Sequence, residues 1–206
     1  MLTRIAVFVS GGGTNLQALL DAEAEGKIPS GEIALVLSDN REAYALQRAS
    51  KAGVKSAVIC RGDFNSQAAF ESSVMPYLEE NGIDMIILAG FLSILSADFT
   101  AKWAGRIINI HPSLIPSFCG KGFYGLRVHK AALARGVKVT GATVHYVNEV
   151  PDGGDIILQK SVDILPGDTP EILQRRVMEQ AEWILLPKAA EMVAAKLKDE
   201  KERERV

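Results

Sequence analysis

Apolar residues in the first half of the chain occur in short runs that are separated by amphipathic segments. Residues 4–10, RIAVFVS, form a continuous apolar run that ends in glycines, which is typical of a strand buried on both faces. Residues 14–25 then carry leucines at helical spacing, and Gly26 can end that helix. Further strands are predicted at residues 33–37, 56–59, 85–88 and 107–110, with helices at 42–51, 66–80 and 96–103 between them. This alternation predicts βαβ units and a Rossmann-like α/β fold, an open, mostly parallel twisted sheet with flanking helices.

The pattern changes after residue 125. A helix is predicted over residues 126–134, followed by two extended segments, 137–149 and 153–164, which the turn-prone sequence VPDGG joins. We expect these segments to form a β-hairpin that extends the sheet. A long C-terminal helix is predicted to have Pro170 in its first turn and to continue to about Lys198, and the sequence around Pro187 tolerates a kink.

The composition is that of one globular domain: 206 residues, 48% hydrophobic and 23% charged, with a formal net charge of −2. Without clustered Lys and Arg, nucleic acid is not an expected partner. No apolar run is long enough to span a membrane, and the apolar part of the N-terminus is too short for a signal peptide. Cys60 and Cys119 lack the spacing of a zinc site or disulfide framework, so we expect a cytoplasmic protein with reduced thiols and no metal.

The glycine-rich turn after the first strand is a candidate anion site. Glycines expose backbone amides at a helix N-terminus, and two polar residues follow them. The residues of this candidate phosphate loop are Gly12, Gly13, Thr14 and Asn15. The turn has no lysine for a P-loop, and Leu16 replaces the third glycine of a dinucleotide fingerprint. A dinucleotide-binding alternative would use Asp39, after the second strand, as its ribose acceptor, and a plain strand-to-helix turn is a third alternative.

Asn109 and His111 are the strongest candidates for catalysis. Residues two apart on a strand point to the same face, and this strand ends where open α/β sheets bind ligands. An amide and an imidazolium aimed at one point suit a developing oxyanion. The alternative is a buried histidine satisfied by a backbone carbonyl. The irregular loop that follows, residues 112–125, favours catalysis.

Asp152, in the sequence NEVPDGGD, is the candidate carboxylate. Taken alone it could be a turn former, but a charged His111 needs a nearby carboxylate that raises its pKa. Thr143 and His145 lie just upstream at alternating positions and could bring further polar groups to the same site. His129, on a predicted amphipathic helix, is expected at the surface. No residues show metal-ligand spacing, and no serine or cysteine has the setting of an activated nucleophile.

Four segments together resemble the phosphoribosylglycinamide formyltransferase family of folate-dependent enzymes. They are VSGGGTNLQALL, LAGFLSILS, NIHPSLIPSFCGKGFYGLRVH and GATVHYVNEVPDGGDIILQ, in the family's order and spacing from about Arg4 to Pro187. The Asn-x-His-Pro-Ser-Leu core is shared with methionyl-tRNA formyltransferase and formyltetrahydrofolate deformylase. The glycine-rich start and the chain length favour the first family, because each of the others would carry an extra domain.

The resemblance implies transfer of the formyl group of 10-formyltetrahydrofolate to the amine of phosphoribosylglycinamide, in purine biosynthesis. It implies a catalytic trio of Asn109, His111 and Asp152, with His145 in support, and a phosphate loop at Gly13, Thr14 and Asn15. It also implies that the folate contacts Asn109 and the segment Leu92, Ser93, Ile94 and Leu95. Under this interpretation residues 1–100 form the phosphate-binding half, 101–190 the catalytic and folate-binding half, and 196–206 a charged tail.

The chain departs from the family at three positions. Gln67 and Ser93 stand where relatives often have arginines that help to bind the folate, so Gln67 is a weak candidate for that contact. Ala181 stands where many relatives have a glutamate that contacts the sugar of the ribonucleotide, and the neighbouring Glu182 could compensate. The alternative functions are a formyltetrahydrofolate deformylase or another formyl-folate transferase and, in a different class, an NAD(P)- or nucleotide-binding Rossmann-type protein. The oligomeric state is left open between monomer and homodimer, and Cys119 is expected only to pack.

Overall fold

The computed structural model describes residues 1–203. Seven strands are present: β1 (Thr3–Val9), β2 (Gly31–Ser38), β3 (Ser56–Val58), β4 (Met85–Leu88), β5 (Ile107–His111), β6 (Val139–Tyr146) and β7 (Ile156–Asp163). The α-helices are α1 (Thr14–Ala24), α2 (Ala45–Lys51), α3 (Gln67–Glu80), α4 (Ala97–Lys102), α5 (Leu126–Arg135), α6 (Pro170–Val177) and α7 (Trp183–Arg203). A 3-10 turn lies at Arg61–Asp63, and a π-helical segment at Met178–Glu182 joins α6 to α7.

The strands form one sheet in the order β3-β2-β1-β4-β5-β6-β7. The first five strands of the chain pair in parallel, whereas β6 pairs antiparallel with β5 and β7 pairs antiparallel with β6. Parallel neighbours require helical crossovers, but β6 and β7 are joined by a short turn. The predicted fold class, a mostly parallel sheet extended by a hairpin and followed by a long helix, is confirmed.

Two apolar cores cover the two faces of the sheet. Residues of α1 and α7 pack on one face together with alternate residues of β1 such as Ile5 and Val7. Residues of α3 and α4 pack on the other face with Ala6 and Phe8. Because β1 is covered on both faces, its apolar run is continuous instead of alternating.

The C-terminal helix differs from its prediction. Thr169 caps α6 by accepting a hydrogen bond from the amide of Ile172, and Pro170 begins the helix, as predicted. The irregularity, however, is the π-helical segment upstream of Pro187, which itself lies within α7. A π-helical turn holds one extra residue per turn, so it shifts which side chains of the following helix face the sheet. Of the predicted charged tail, residues up to Arg203 are helical, and positions 204–206 lie outside the described residues.

Some other helices and strands begin or end a few residues away from their predicted positions. The second helix begins at Ala45, because residues 41–44 form turns, and β3 ends one residue early at Val58. In the part of the chain that the structure describes, no helix has both the length and the apolar character needed to cross a membrane.

Candidate active site

The register between β5 and β6 sets four polar side chains on one face of the sheet. Asn109 and His111 are two residues apart on β5, so their side chains point the same way. Antiparallel pairing places His145 directly opposite Asn109, and Thr143 directly opposite His111. The predicted catalytic residues of β5 therefore lie beside the predicted supporting residues of β6.

This polar patch ends a face of the sheet that is otherwise apolar. Ile108 and Ile110 point to the opposite face and pack in the core with α1 and α7, whereas Ile107 packs in the core with α3 and α4. Asn109 and His111 continue the face of Ile107 to the carboxyl end of the strand. That end is the usual ligand crevice of an open α/β sheet.

Asp152 reaches the patch from the turn between β6 and β7. Its backbone has a left-handed conformation with φ of 56°, which aspartate tolerates in turns. One carboxylate oxygen lies 3.5 Å from Nδ1 of His111 and accepts a 2.7 Å hydrogen bond from the amide of Gly120. The other oxygen lies 3.5 Å from Nδ2 of Asn109 and 3.5 Å from Nε2 of His145. Three predicted residues from two separate segments thus meet at one point.

His145 lies next to the amide of Asn109. Its Nδ1 donates a 2.7 Å hydrogen bond to the carbonyl of Tyr146, because a carbonyl oxygen can only accept. Nδ2 of Asn109 lies 3.2 Å from Nε2 of the same ring. Nε2 of His145 therefore faces both the Asn109 amide and the Asp152 carboxylate, and the three side chains form one polar cluster.

The carboxylate and the imidazole have shifted pKa values. Burial pushes the pKa of Asp152 upward, but the hydrogen bond from His145, the charge of His111 and the Gly120 amide together leave it below its usual value. Burial lowers the pKa of His111, and the attraction of Asp152 and the hydrogen bond to Phe118 only partly oppose this effect. In the absence of substrate, desolvation thus outweighs the attraction of Asp152 in setting the pKa of His111.

The loop of residues 112–125 folds back over His111, whose Nε2 donates a 2.9 Å hydrogen bond to the carbonyl of Phe118. Thr143 supports this loop instead of contacting the carboxylate: its hydroxyl donates to the carbonyl of Ser113 and accepts from the amide of Ile115. Burial, together with the charge of Asp152, raises the pKa of the Cys119 thiol. A protonated thiol is a poor nucleophile, so Cys119 has no setting for covalent catalysis.

The glycine-rich turn links β1 to α1, at the carboxyl end of β1. Gly13 has φ of 71°, and a Cβ built on it would lie 2.6 Å from Cβ of Ala45. A Cβ on Gly12 would meet nothing within 4 Å. Nε of Arg48 donates a 2.8 Å hydrogen bond to the carbonyl of Gly12. This bond holds the carbonyl away from the open side of the turn, which suits an anion site.

Asn15 and Thr14, the side-chain members of the predicted phosphate loop, contact the π-helical segment. Nδ2 of Asn15 donates a 2.7 Å hydrogen bond to Glu182, and Oγ1 of Thr14 lies 3.7 Å from Sδ of Met178. Glu182 is only 6% exposed, and burial raises the pKa of its carboxyl to about 7 against the opposing hydrogen bond from Asn15. The sequence indicates Glu182 only through its proximity to Ala181, which is fully buried.

Substitutions in the glycine turn should separate two effects. Gly13→Ala combines a strained φ with a contact that the packed Ala45 backbone cannot relieve, so we expect a loss of about 1–3 kcal/mol in the free energy of unfolding. Gly12→Ala has open space, so we expect unchanged stability but weaker binding of a phosphate ester, because the methyl group covers the exposed amides. Thermal unfolding and phosphate-ester titration of both variants measure these effects. Equal behaviour of the two variants would contradict this description of the loop.

The segment after β4 lines a small cavity of about 130 Å³. Its walls include Leu92, Ser93, Ile94, Leu95, Asn109, His145 and residues 147–152 of the hairpin, with Asp152 among them. The predicted folate segment therefore shares one cavity with Asn109 and Asp152, two of the three predicted catalytic residues. Ser93 donates a 2.6 Å hydrogen bond to Asp39. Asp39, which the dinucleotide-binding alternative would use as its ribose acceptor, is therefore already bonded to a residue of the cavity wall. A larger cavity of about 760 Å³ lies between α1 and α7 and meets the glycine turn only at Thr14.

The prediction that His129 lies at the surface is wrong. Its side chain on α5 is 0% exposed, and neither ring nitrogen has a hydrogen-bond partner among residues 1–203. His129 belongs to the buried face of α5 together with Val128 and Ala132, and it lies close enough to His111 for their charges to interact. Burial, reinforced by the charge of His111, lowers the pKa of His129 to about 4.

Acid should destabilise the protein through His129. The imidazole has a pKa near 6.5 in the unfolded chain and about 4 in the folded one, so below pH 6.5 the unfolded state binds a proton that the folded state does not. Stability is therefore full above pH 6.5 and falls as the pH drops toward 4, by about 2–3 kcal/mol. His129→Leu removes this dependence, and the difference between variant and wild type in denaturant unfolding at pH 7.5 and 4.5 isolates it. Parallel pH profiles would contradict the prediction.

The described residues form an open α/β sheet with an Asn-His-Asp cluster at the carboxyl end of β5 and a glycine-rich turn after β1, and this arrangement suits a transferase acting on small molecules. A family model described as Formyl transferase matches residues 3–189. The chain belongs to this formyl transferase family.

Relatives with known names are similar over most of the chain. It is 42% identical to "Phosphoribosylglycinamide formyltransferase" of Haemophilus influenzae, over 87% of this chain and 82% of that protein. It is 44% identical to "Trifunctional purine biosynthetic protein adenosine-3" of Gallus gallus over 93% of this chain, but spans only 18% of that longer protein. Among solved structures, glycinamide ribonucleotide transformylase 1 from Symbiobacterium toebii superposes with a TM-score of 0.88 at 41% identity, covering 95% of this chain and 89% of that one.

Proposed function

We propose that the protein transfers the formyl group of 10-formyltetrahydrofolate to the amine of 5′-phosphoribosylglycinamide, a step of purine biosynthesis. The observation that carries this proposal is the convergence of three sites on adjacent parallel strands. The anion turn follows β1, the apolar wall 92–95 follows β4, and the catalytic pair ends β5. A phosphate ester and a folate bound there would meet at Asn109 and His111.

The amine of the ribonucleotide attacks the formyl carbon directly. A new C–N bond forms, the formyl oxygen gains negative charge, and the bond from carbon to N10 of the folate then breaks. Asn109 and His111 donate hydrogen bonds to the developing oxyanion. The negative charge raises the pKa of His111 as it forms, so the imidazole becomes charged when the charge is needed.

Asp152 completes the proton balance. The attacking amine must lose a proton, and N10 of the folate must gain one as it leaves. The Asp152 carboxylate, with its pKa below the usual value, is charged at neutral pH and accepts that proton, directly or through water, before returning it to N10. No covalent enzyme intermediate is required, which agrees with the absence of an activated nucleophile in the described cavity.

Glu182 is the proposed contact to the ribose hydroxyls. The π-helical segment of Met178–Glu182 directs Glu182, instead of Ala181, toward Asn15 on the glycine turn. A carboxylate next to the phosphate loop can accept hydrogen bonds from vicinal hydroxyls. Glu182 would thus take the place of the glutamate that many relatives have one position earlier.

An absorbance assay of formyl transfer, run with and without phosphoribosylglycinamide, tests the proposal. Transfer that depends on the ribonucleotide supports it. Formate release without any amine acceptor would instead indicate a deformylase. Thermal stabilisation by NAD(P), and none by a folate analogue, would reverse the assignment in favour of a dinucleotide-binding protein.

A further inference from the structure

The cavity beside the catalytic trio is lined by Asn109 and Asp152, which are partly buried, and by Leu92 and Ile94, which are 60% and 62% exposed. The part of the wall at Leu92 and Ile94 is called the open end. A folate that places its formyl group at Asn109 must direct its glutamate portion toward solvent. That portion carries at least two carboxylates, and desolvating them without a cation would be costly. The open end should therefore contain a cation.

Arg61 does not line the cavity, but one side chain, Gln67, connects it to the wall at Ile94. It begins the 3-10 turn of Arg61–Asp63, and its Nη1 donates a 2.8 Å hydrogen bond to the carbonyl of Phe64. Its Nε donates a 2.9 Å hydrogen bond to Oε1 of Gln67. Nε2 of Gln67 in turn donates a 2.9 Å hydrogen bond to the carbonyl of Ile94, in the cavity wall. One amide thus connects the guanidinium to the open end of the cavity.

The orientation of the Gln67 amide is determined by its other partner. Nε2 also donates a 2.7 Å hydrogen bond to Glu71, a carboxylate that is 7% exposed and further bonded to the amide and hydroxyl of Ser96. Because two acceptors face Nε2, Oε1 must face Arg61. Gln67 is therefore a positioning residue that directs the guanidinium of Arg61.

The guanidinium of Arg61 has capacity left for a ligand. Within residues 1–203 it forms no ion pair, and Nη2 donates no hydrogen bond to protein. Its neighbours are already satisfied: Arg41 pairs with Asp63 at 2.5 Å, and Asp39 accepts from Ser93. An arginine with free donors matches a carboxylate better than any other side chain.

We propose that Arg61, positioned by Gln67, binds the glutamate carboxylates of the folate co-substrate. Arg61 would thus replace the arginines that relatives often have at the positions of Gln67 and Ser93. This inference rests on the proposed function and specifies which part of the folate Arg61 recognises. It also accounts for the glutamine at position 67, whose amide aims a neighbouring arginine instead of supplying the charge itself.

Arg61→Gln tests the assignment in a formyl-transfer assay with two co-substrates, 10-formyltetrahydrofolate and the matching formylated tetrahydropteroate, which lacks the glutamate. We expect KM for the folate to rise about tenfold, because one charge-assisted contact is lost. KM for the pteroate, KM for the ribonucleotide and kcat at saturation should stay within about twofold of wild type. Gln67→Arg in the Arg61→Gln background should restore most of the affinity for the folate.

Arg175→Gln is the matched control, since it removes the same charge from α6, where Arg175 pairs with Glu179. Its KM values should equal those of wild type. An unchanged KM for the folate in Arg61→Gln, or an equal rise for folate and pteroate, would overturn the role of Arg61. If the wild-type chain transfers no formyl group and binds neither co-substrate, the proposed function itself fails. Transfer that persists with no effect of Arg61 rejects only this inference.

Discussion

Asp152→Asn is expected to lower kcat for formyl transfer by about 10²–10⁴-fold while the ribonucleotide still binds. Asparagine keeps the size of the side chain and can still accept from the Gly120 amide, but it cannot take up the proton of the attacking amine. It also removes the negative charge that lies 3.5 Å from Nδ1 of His111. The pKa of His111 should then fall further, which weakens the second catalytic group as well.

Steady-state kinetics and a ribonucleotide titration of the same preparation measure the two parts of this prediction. Asp155→Asn is the matched control, because Asp155 is an exposed carboxylate in the same hairpin region and should leave kcat unchanged. A near-normal kcat in Asp152→Asn would remove Asp152 from the mechanism. A folded variant that loses ribonucleotide binding along with turnover would show that the carboxylate acts in binding.

His111→Asn is expected to lower kcat by about 10²–10³-fold, the usual cost of removing one oxyanion donor. The imidazole is buried between Asp152 and the carbonyl of Phe118, so asparagine loses the charge that develops in the transition state and the contact to the loop. KM values should change little, since the oxyanion exists only after binding. Thermal unfolding of the variant shows whether the loop contact also contributes to stability.

The double variant of His111→Asn and Asp152→Asn distinguishes a coupled pair from two independent groups. If Asp152 acts largely through the imidazole, the double variant should be about as slow as the slower single variant. If the decrease in kcat of the double variant equals the product of the two single decreases, the two side chains act separately. The ratio of rates in this cycle is therefore more informative than either single substitution.

The fold could be predicted from the sequence because its strongest signals are local. A strand buried on both faces reads as an unbroken apolar run, as in β1, and a half-buried helix reads as leucines at helical spacing, as in α1. In the C-terminal helix the sequence indicates only Pro187 as a position that tolerates a kink, because proline is a local signal. A π-helical turn such as Met178–Glu182 leaves no mark on the apolar pattern, because its extra residue only shifts the register of the next helix.

The catalytic pair was predictable from spacing, since residues two apart on any strand share a face. Asp152 required more, because 43 residues separate it from Asn109 and only the hairpin geometry brings it within 3.5 Å. The error at His129 has a related cause. Helical periodicity places His129 next to the apolar Val128 and Ala132, but only packing shows that the imidazole itself is fully buried.

The sequence by itself determined the α/β class, the positions of the glycine turn and the Asn109–His111 pair, and the family resemblance, because each depends on residues close together in the chain. Only the tertiary structure decided the charge balance. Burial outweighs the charge of Asp152 in setting the pKa of His111. Burial also raises the pKa of Glu182 to about 7 and lowers that of His129 to about 4. The tertiary structure also connects Arg61 to the cavity wall, because Gln67 accepts a hydrogen bond from Arg61 and donates one to the carbonyl of Ile94. Desolvation and through-space contacts arise from packing, and packing joins residues that the chain order keeps apart.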